Sequence, residues 1–193
     1  MQYRKLGRSG LSVSALCLGM MSYGSPRWQR WVLEDRECRR FVGQASDAEI
    51  IFFDIADFYS LGASEQAIGQ AISGLCRHQG MVISTKVWVP IDQSSNGRGL
   101  SRKPILQSVD ASLERFGTHY IDLYELHAGD SLTPVEETVD ALTDLVRGDK
   151  ILCFGVSNSM PWQLAAAQHA ALIRSGRGFG PMRTRYNMLY REE

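Results

Sequence analysis

Short apolar runs alternate along this chain with longer stretches in which apolar residues recur three or four positions apart, and the two periods predict strands and helices in turn. Residues 3 to 14 place Gly7, Ser9 and Gly10 between Leu6 and the pair Leu11 and Val13, the pattern of a short hairpin. Ala15 to Leu18 predicts a strand ending at Gly19, and the loop from Met20 to Leu33 carries Tyr23, Trp28 and Trp31, which either pack or wall a pocket. Glu34 to Gln44 reads as a helix, and Ile50 to Phe53 as a buried strand ended by Asp54. Ser64 is expected to cap a helix through Ile72, with Glu65 at its positive end and Gly74 ending it. Val82 to Lys86 is the next strand, and Pro90 to Leu100 is a polar loop. Ser101 then caps a helix whose stripe is Ile105, Val109, Leu113 and Phe116. After the strand Ile121 to His127, Thr133 caps a helix with Pro134 at its first position and Val139, Leu142, Leu145 and Val146 on its buried face. Ile151 to Val156 is a strand, Pro161 opens an alanine-rich helix through about Ser175, and Met182 to Tyr186 predicts a sixth strand. Strict alternation with short connections implies parallel βαβ units in an α/β fold.

In such folds chemistry collects where strands run out into loops, because the sheet fixes a side chain there while the loop admits substrate. Asp54, Tyr59, Lys86 and His127 all stand at such strand ends. Singly, each has an ordinary explanation: a strand-end aspartate often caps, and a lone histidine is usually structural. His78, His119 and His169 join no constellation, and Gly176, Gly178 and Gly180 do not form a dinucleotide fingerprint.

Composition narrows the class. The 193 residues carry 21 basic and 21 acidic side chains, and 44% are hydrophobic, as expected of one globular domain over 1–193. Balanced charge argues against nucleic-acid and membrane-surface roles. The start lacks an apolar leader and no run is long enough to span a bilayer, so a cytoplasmic location is expected. Cys17, Cys38, Cys76 and Cys153 are widely spaced, which predicts reduced thiols and no metal site.

The motifs Phe53-Asp54-x-Ala56-x-x-Tyr59 with Ser64-Glu65, Thr85-Lys86, Leu126-His127-x-x-Asp130 and Gly155-Val156-Ser157-Asn158, in that order, resemble the aldo-keto reductase superfamily. The loop Ser22 to Pro26 with Trp28, Trp31, Val32 and Leu33 is most similar to the subgroup of versiconal hemiacetal acetate reductase and aryl-alcohol dehydrogenases. The resemblance implies a (β/α)8 TIM-barrel type fold, incomplete at about six of eight strands, with the N-terminal hairpin plugging its bottom. The C-terminal part of the barrel is then absent, and the open sheet edges invite self-association.

The resemblance also implies an oxidoreductase that reduces a small-molecule aldehyde or ketone with NADPH, aromatic or polyketide-like substrates being suggested by the subgroup. By it, Tyr59 is the general acid, Lys86 tunes it, Asp54 pairs with Lys86, and His127 orients the substrate oxygen. Cofactor contacts fall to Ser157, Asn158, Arg183 and Tyr186; Ser157 and Asn158 hold the nicotinamide carboxamide, or else they simply cap a helix. Arg183 stands where the family has a glutamine, and an arginine offers donors only. Ile55 replaces a usual threonine and Ser60 a usual glycine, the latter restricting the turn that aims Tyr59. The competing readings are a non-catalytic module that binds cofactor or partner, and an inactive shortened relative.

Overall fold

The computed structural model describes residues 1–75, 80–91 and 94–191; Cys76, His78 and part of the loop after Pro90 lie outside them. A two-stranded antiparallel hairpin, β1 (Tyr3–Lys5) and β2 (Ser12–Ser14), precedes six parallel strands. These are β3 (Cys17–Gly19), β4 (Phe52–Asp54), β5 (Val82–Val87), β6 (Ile121–Leu126), β7 (Ile151–Ser157) and β8 (Met182–Arg183), hydrogen-bonded in chain order. Helices α1 (Asp35–Asp47), α2 (Ala63–Leu75), α3 (Arg102–Phe116), α4 (Val135–Arg147) and α5 (Pro161–Ser175) connect them, each packed on the next. The sheet curls into a half-barrel, an incomplete (β/α)8 arrangement with the predicted hairpin. Among the described residues no helix is long and apolar enough to cross a membrane.

Alternation along the strands divides the molecule into two layers. One parity faces the helices and builds the apolar core: Phe53, Ile83 and Val87 join Val42, Ile68, Ile105, Val109 and Leu142, all nearly inaccessible. At about 1.5–3 kcal/mol for each large apolar side chain, this layer supplies most of the stabilisation. The other parity faces the interior of the curl, and toward the C-terminal ends of the strands it turns polar, with Asp54, Ser84, Lys86 and Glu125.

The hairpin closes the end of the sheet where the strands begin. Ser14 Oγ accepts hydrogen bonds from the Ile51 and Phe52 amides at 3.1 and 3.3 Å. Gly7, at φ +54°, lies so close to the Gly180 carbonyl that a Cβ would stand 2.6 Å from its oxygen. The hairpin thus touches the approaches to β4 through Ser14 and to β8 through Gly7.

Several caps differ from expectation. Ser64 does not cap α2; its hydroxyl donates to the Met20 carbonyl at 2.9 Å, and the helix starts one residue earlier. Thr133 Oγ1 donates to Asp130 instead, leaving Pro134 at the cap of α4. Gly74 lies inside α2, which runs to Leu75. The sixth parallel strand is two residues long, ending at Arg183.

Candidate active site

Period-two geometry carries Asp54 on β4, Ser84 and Lys86 on β5, and Glu125 on β6 to the inner face near the C-terminal ends of the strands. Lys86 is fully buried, and its ammonium donates to Asp54 Oδ1 at 2.6 Å and to the Ile55 carbonyl. Glu125 Oε2 lies 4.0 Å from the same nitrogen and accepts from Ser84 Oγ at 2.8 Å. An isolated buried ammonium costs several kcal/mol, so this cation is held only because two carboxylates and a carbonyl surround it. Burial pushes Glu125 above the usual carboxylate range, Asp54 adding to the effect while Lys86 and Ser84 oppose it. Sequence reading passed over Glu125, although its place two residues before His127 on one strand was the available signal.

Tyr59 is brought to Lys86 by a tight turn after β4. Its amide donates to the Ala56 carbonyl at 3.1 Å, and Ser60 and Leu61 follow at φ +51° and +53°. A side chain in that left-handed region costs about 1–2 kcal/mol. Ser60 occupies it nonetheless, because its hydroxyl accepts from the Ser25 amide at 3.2 Å and ties the turn to the loop before α1. The aromatics of that loop pack: Trp28 stacks edge-on against Phe58 and Trp31, at 5.5 and 5.9 Å between centroids, and Tyr23 meets Phe41.

The Tyr59 ring lies 5.4 Å from Lys86 Nζ and 6.0 Å, edge to face, from the His127 ring. Burial holds His127 down to about 4, with the Lys86 and Arg183 charges adding to the effect, so the imidazole is neutral at neutral pH. Its Nδ1 is buried without a hydrogen-bond partner among the described residues. The four residues expected together, Asp54, Tyr59, Lys86 and His127, therefore do converge.

Ser157 ends β7 on the inner face, fully buried, and its Oγ is also without a partner among the described residues. Asn158 turns at φ +45° and its Nδ2 donates to the His127 carbonyl at 3.3 Å. Arg183, paired with Ser157 in register, projects across the curl to Asp54 Oδ2 at 2.9 Å. Tyr186 is not brought to the site. The chain leaves the sheet after Arg183, and Tyr186 stands 76% exposed with Arg191 across its ring. Cys17 starts β3 on the same inner face and is exposed to solvent as a free thiol. Among the described residues no three His, Cys, Asp or Glu side chains are placed to hold a metal.

Two further polar clusters lie outside the inner face. Glu65, fully buried, accepts from Thr85 Oγ1 at 2.6 Å and from Arg115 Nε at 2.5 Å, joining α2, β5 and α3. Asp130 accepts from the Leu100 and Leu132 amides, each at 2.9 Å, and clasps the loops before α3 and α4.

The aldo/keto reductase family pattern matches residues 15–191. The versiconal hemiacetal acetate reductase of Aspergillus parasiticus is 39% identical over all of this chain and 61% of its own length. A Saccharomyces cerevisiae protein named as an aryl-alcohol dehydrogenase is 36% identical over 98% of this chain and 60% of its own. A Bacillus subtilis oxidoreductase is 36% identical over 99% and 60%. The chain spans about three-fifths of the length of these curated relatives. With that match over nearly the whole sequence, and with the half-barrel beneath it, the chain belongs to the aldo/keto reductase family.

Proposed function

We propose that this chain carries the reducing centre of an NADPH-dependent aldehyde or ketone reductase. The observation that supports it most is the convergence of Tyr59 and His127 on a fully buried Lys86 held by Asp54. Buried titratable groups gathered at strand ends are what acid–base chemistry requires and what a structural core avoids.

In this reading a substrate carbonyl lies between Tyr59 and His127. The neutral imidazole orients its oxygen by a hydrogen bond, and the Tyr59 hydroxyl gives that oxygen its proton. Lys86 stabilises negative charge as it develops on the phenol, and Asp54 keeps Lys86 in place. A bound reduced nicotinamide supplies the hydride. The orphaned hydroxyl of Ser157 fits a carboxamide, since it can both donate and accept, and Asn158 stands beside it. Arg183 does not replace the family's glutamine in that task, because its guanidinium is directed to Asp54. An aromatic substrate agrees with the relatives' names and with the Trp28, Trp31 and Phe58 cluster next to Tyr59.

The test is an NADPH titration of the purified chain by quenching of its four tryptophans, followed by a panel of aromatic aldehydes. Saturable binding and NADPH consumption are expected. Tyr59→Phe should then lower turnover by about 10²- to 10⁴-fold, the worth of a positioned general acid, with cofactor binding intact. Full activity in that variant removes Tyr59 from its role. A folded chain that binds no NADPH refutes the reductase reading and leaves a partner-binding one.

A further inference from the structure

Charged side chains stand in a row of alternating sign on the inner face. Arg183 on β8 meets Asp54 Oδ2 at 2.9 Å, Asp54 Oδ1 accepts from Lys86 Nζ at 2.6 Å, and Glu125 Oε2 on β6 lies 4.0 Å from that same nitrogen. Asp54 thus takes a hydrogen bond from the ammonium. Glu125, too distant for one, is held by Ser84 Oγ, which donates to it at 2.8 Å. The Glu125 side chain is buried, and its register partner on β7 is Gly155, which brings no side chain against it. Along the same face stand the free thiols of Cys17 and Cys153, neutral at neutral pH, and at the mouth Tyr59 and His127. With Glu125 ionised the row of Arg183, Asp54, Lys86 and Glu125 is neutral; with Glu125 protonated it carries one net positive charge.

We propose that Glu125 is a positioning residue of this centre, acting through Lys86: ionised, it offsets the field of the ammonium at Tyr59, and protonated, it releases that field, so that its proton governs how readily Tyr59 gives up its own. This role presupposes the reductase reading above. The Tyr59 ring centre lies 5.4 Å from Lys86 Nζ, so the ring centre and Glu125 Oε2 are no more than about 9 Å apart. At that separation and an effective dielectric constant of about 20, one unit charge moves the titration of the other group by about one pH unit. As the Tyr59 O–H bond breaks, its proton passes to the substrate oxygen and a phenolate remains, which a cationic row stabilises better than a neutral one. Glu125 gives no proton to the substrate and takes none from it. Burial, with Asp54 adding to it, holds the Glu125 carboxyl above the ordinary carboxylate range against the opposing Lys86 and Ser84, which brings its ionisation closer to neutrality than that of an exposed glutamate. The bland alternative is a second counter-ion that only keeps Lys86 in place.

The experiment follows the phenolate absorbance of Tyr59 on rapid mixing into alkaline buffers, for wild type, Glu125→Gln and Ser84→Ala, each measured against its own Tyr59→Phe counterpart as blank and shown folded by circular dichroism. This titration uses neither substrate nor cofactor. It is followed by kcat against pH for reduction of 4-nitrobenzaldehyde by NADPH. Glu125→Gln keeps the shape of the side chain and an acceptor for Ser84 but removes the charge. Its Tyr59 should ionise about one pH unit lower than in wild type, whereas loss of a mere counter-ion loosens the ammonium and leaves Tyr59 ionising no lower. In wild type kcat should fall about threefold as pH rises through the Glu125 ionisation, because a weaker acid transfers its proton more slowly. Glu125→Gln should lack that fall, and Ser84→Ala, which removes a donor to the carboxylate, should move it to higher pH. A Tyr59 titration that is unmoved or raised in Glu125→Gln overturns the inference, as does a fall in kcat that persists in that variant. If Glu125→Gln does not fold, a fall that Ser84→Ala leaves in place does the same. A folded wild type that reduces nothing overturns the reductase reading, and the catalytic role of Glu125 with it, even where the titration shows the coupling.

Discussion

Asp57 offers a quantitative test of the layer behind the site. It lies just past β4 on the helix side of the sheet, 2% exposed. Its Oδ2 accepts from Ser108 Oγ at 2.7 Å, while Oδ1 is buried with no partner among the described residues. Burial raises the carboxyl from 3.8 to about 7, against the opposing Ser108 hydrogen bond and with help from the Glu65 charge. Between those two pH values the native state holds a proton that the unfolded chain releases. Stability from this group is therefore complete below about pH 4 and lost as pH rises through about 7. At about 1.4 kcal/mol per pH unit, the full loss is at most about 4 kcal/mol. Asp57→Asn keeps the shape and an acceptor for Ser108 but cannot ionise. Urea unfolding of both proteins at steps from about pH 4 to about pH 8 measures the effect. The variant should be nearly equal to wild type at the acid end and more stable by up to about 4 kcal/mol at the alkaline end. His127 works in the opposite sense, its depressed value removing stability as pH falls from about 6.5 to about 4; being common to both proteins, it cancels in the difference. A difference that stays flat across the range would show Asp57 ionised in the native state and the reasoning wrong.

Lys86→Met should cost about 3–5 kcal/mol in urea unfolding, because it leaves Glu125 without its nearby cation and Asp54 with Arg183 alone; unchanged stability would mean that the buried charges are not held by one another. Gly24→Ala places a Cβ 2.6 Å from Ser60 Oγ at a backbone φ of +142°, so it should lose about 2–4 kcal/mol. Ser60→Gly in that background should recover about 1 kcal/mol by removing the clash while the backbone strain stays, and a double-mutant cycle with no coupling would refute the contact.

The periodicity of apolar positions was enough to order the elements, since period two and period 3.6 are set locally by backbone geometry. It also located the strand ends, and hence Asp54, Lys86 and His127, because a residue's place along a strand is a local matter. Cap assignments from composition fared worse: the Ser64 and Thr133 hydroxyls each have a helix start nearby, but Met20 and Asp130 offered better partners through space. Glu125 and Ser84 were legible by parity and passed over, since only the neighbouring strand turns an inward carboxylate into a partner for Lys86. Tyr186 failed for the opposite reason: a pattern that continued the strand in sequence ended where pairing with β7 ended. Arg183 shows the division most clearly. The sequence identified an arginine without an acceptor to offer, a property of one side chain. That its guanidinium crosses to Asp54, from the last strand of the sheet to the second, depends on the curl, because residues so distant along the chain meet only when the strands' twist brings them together.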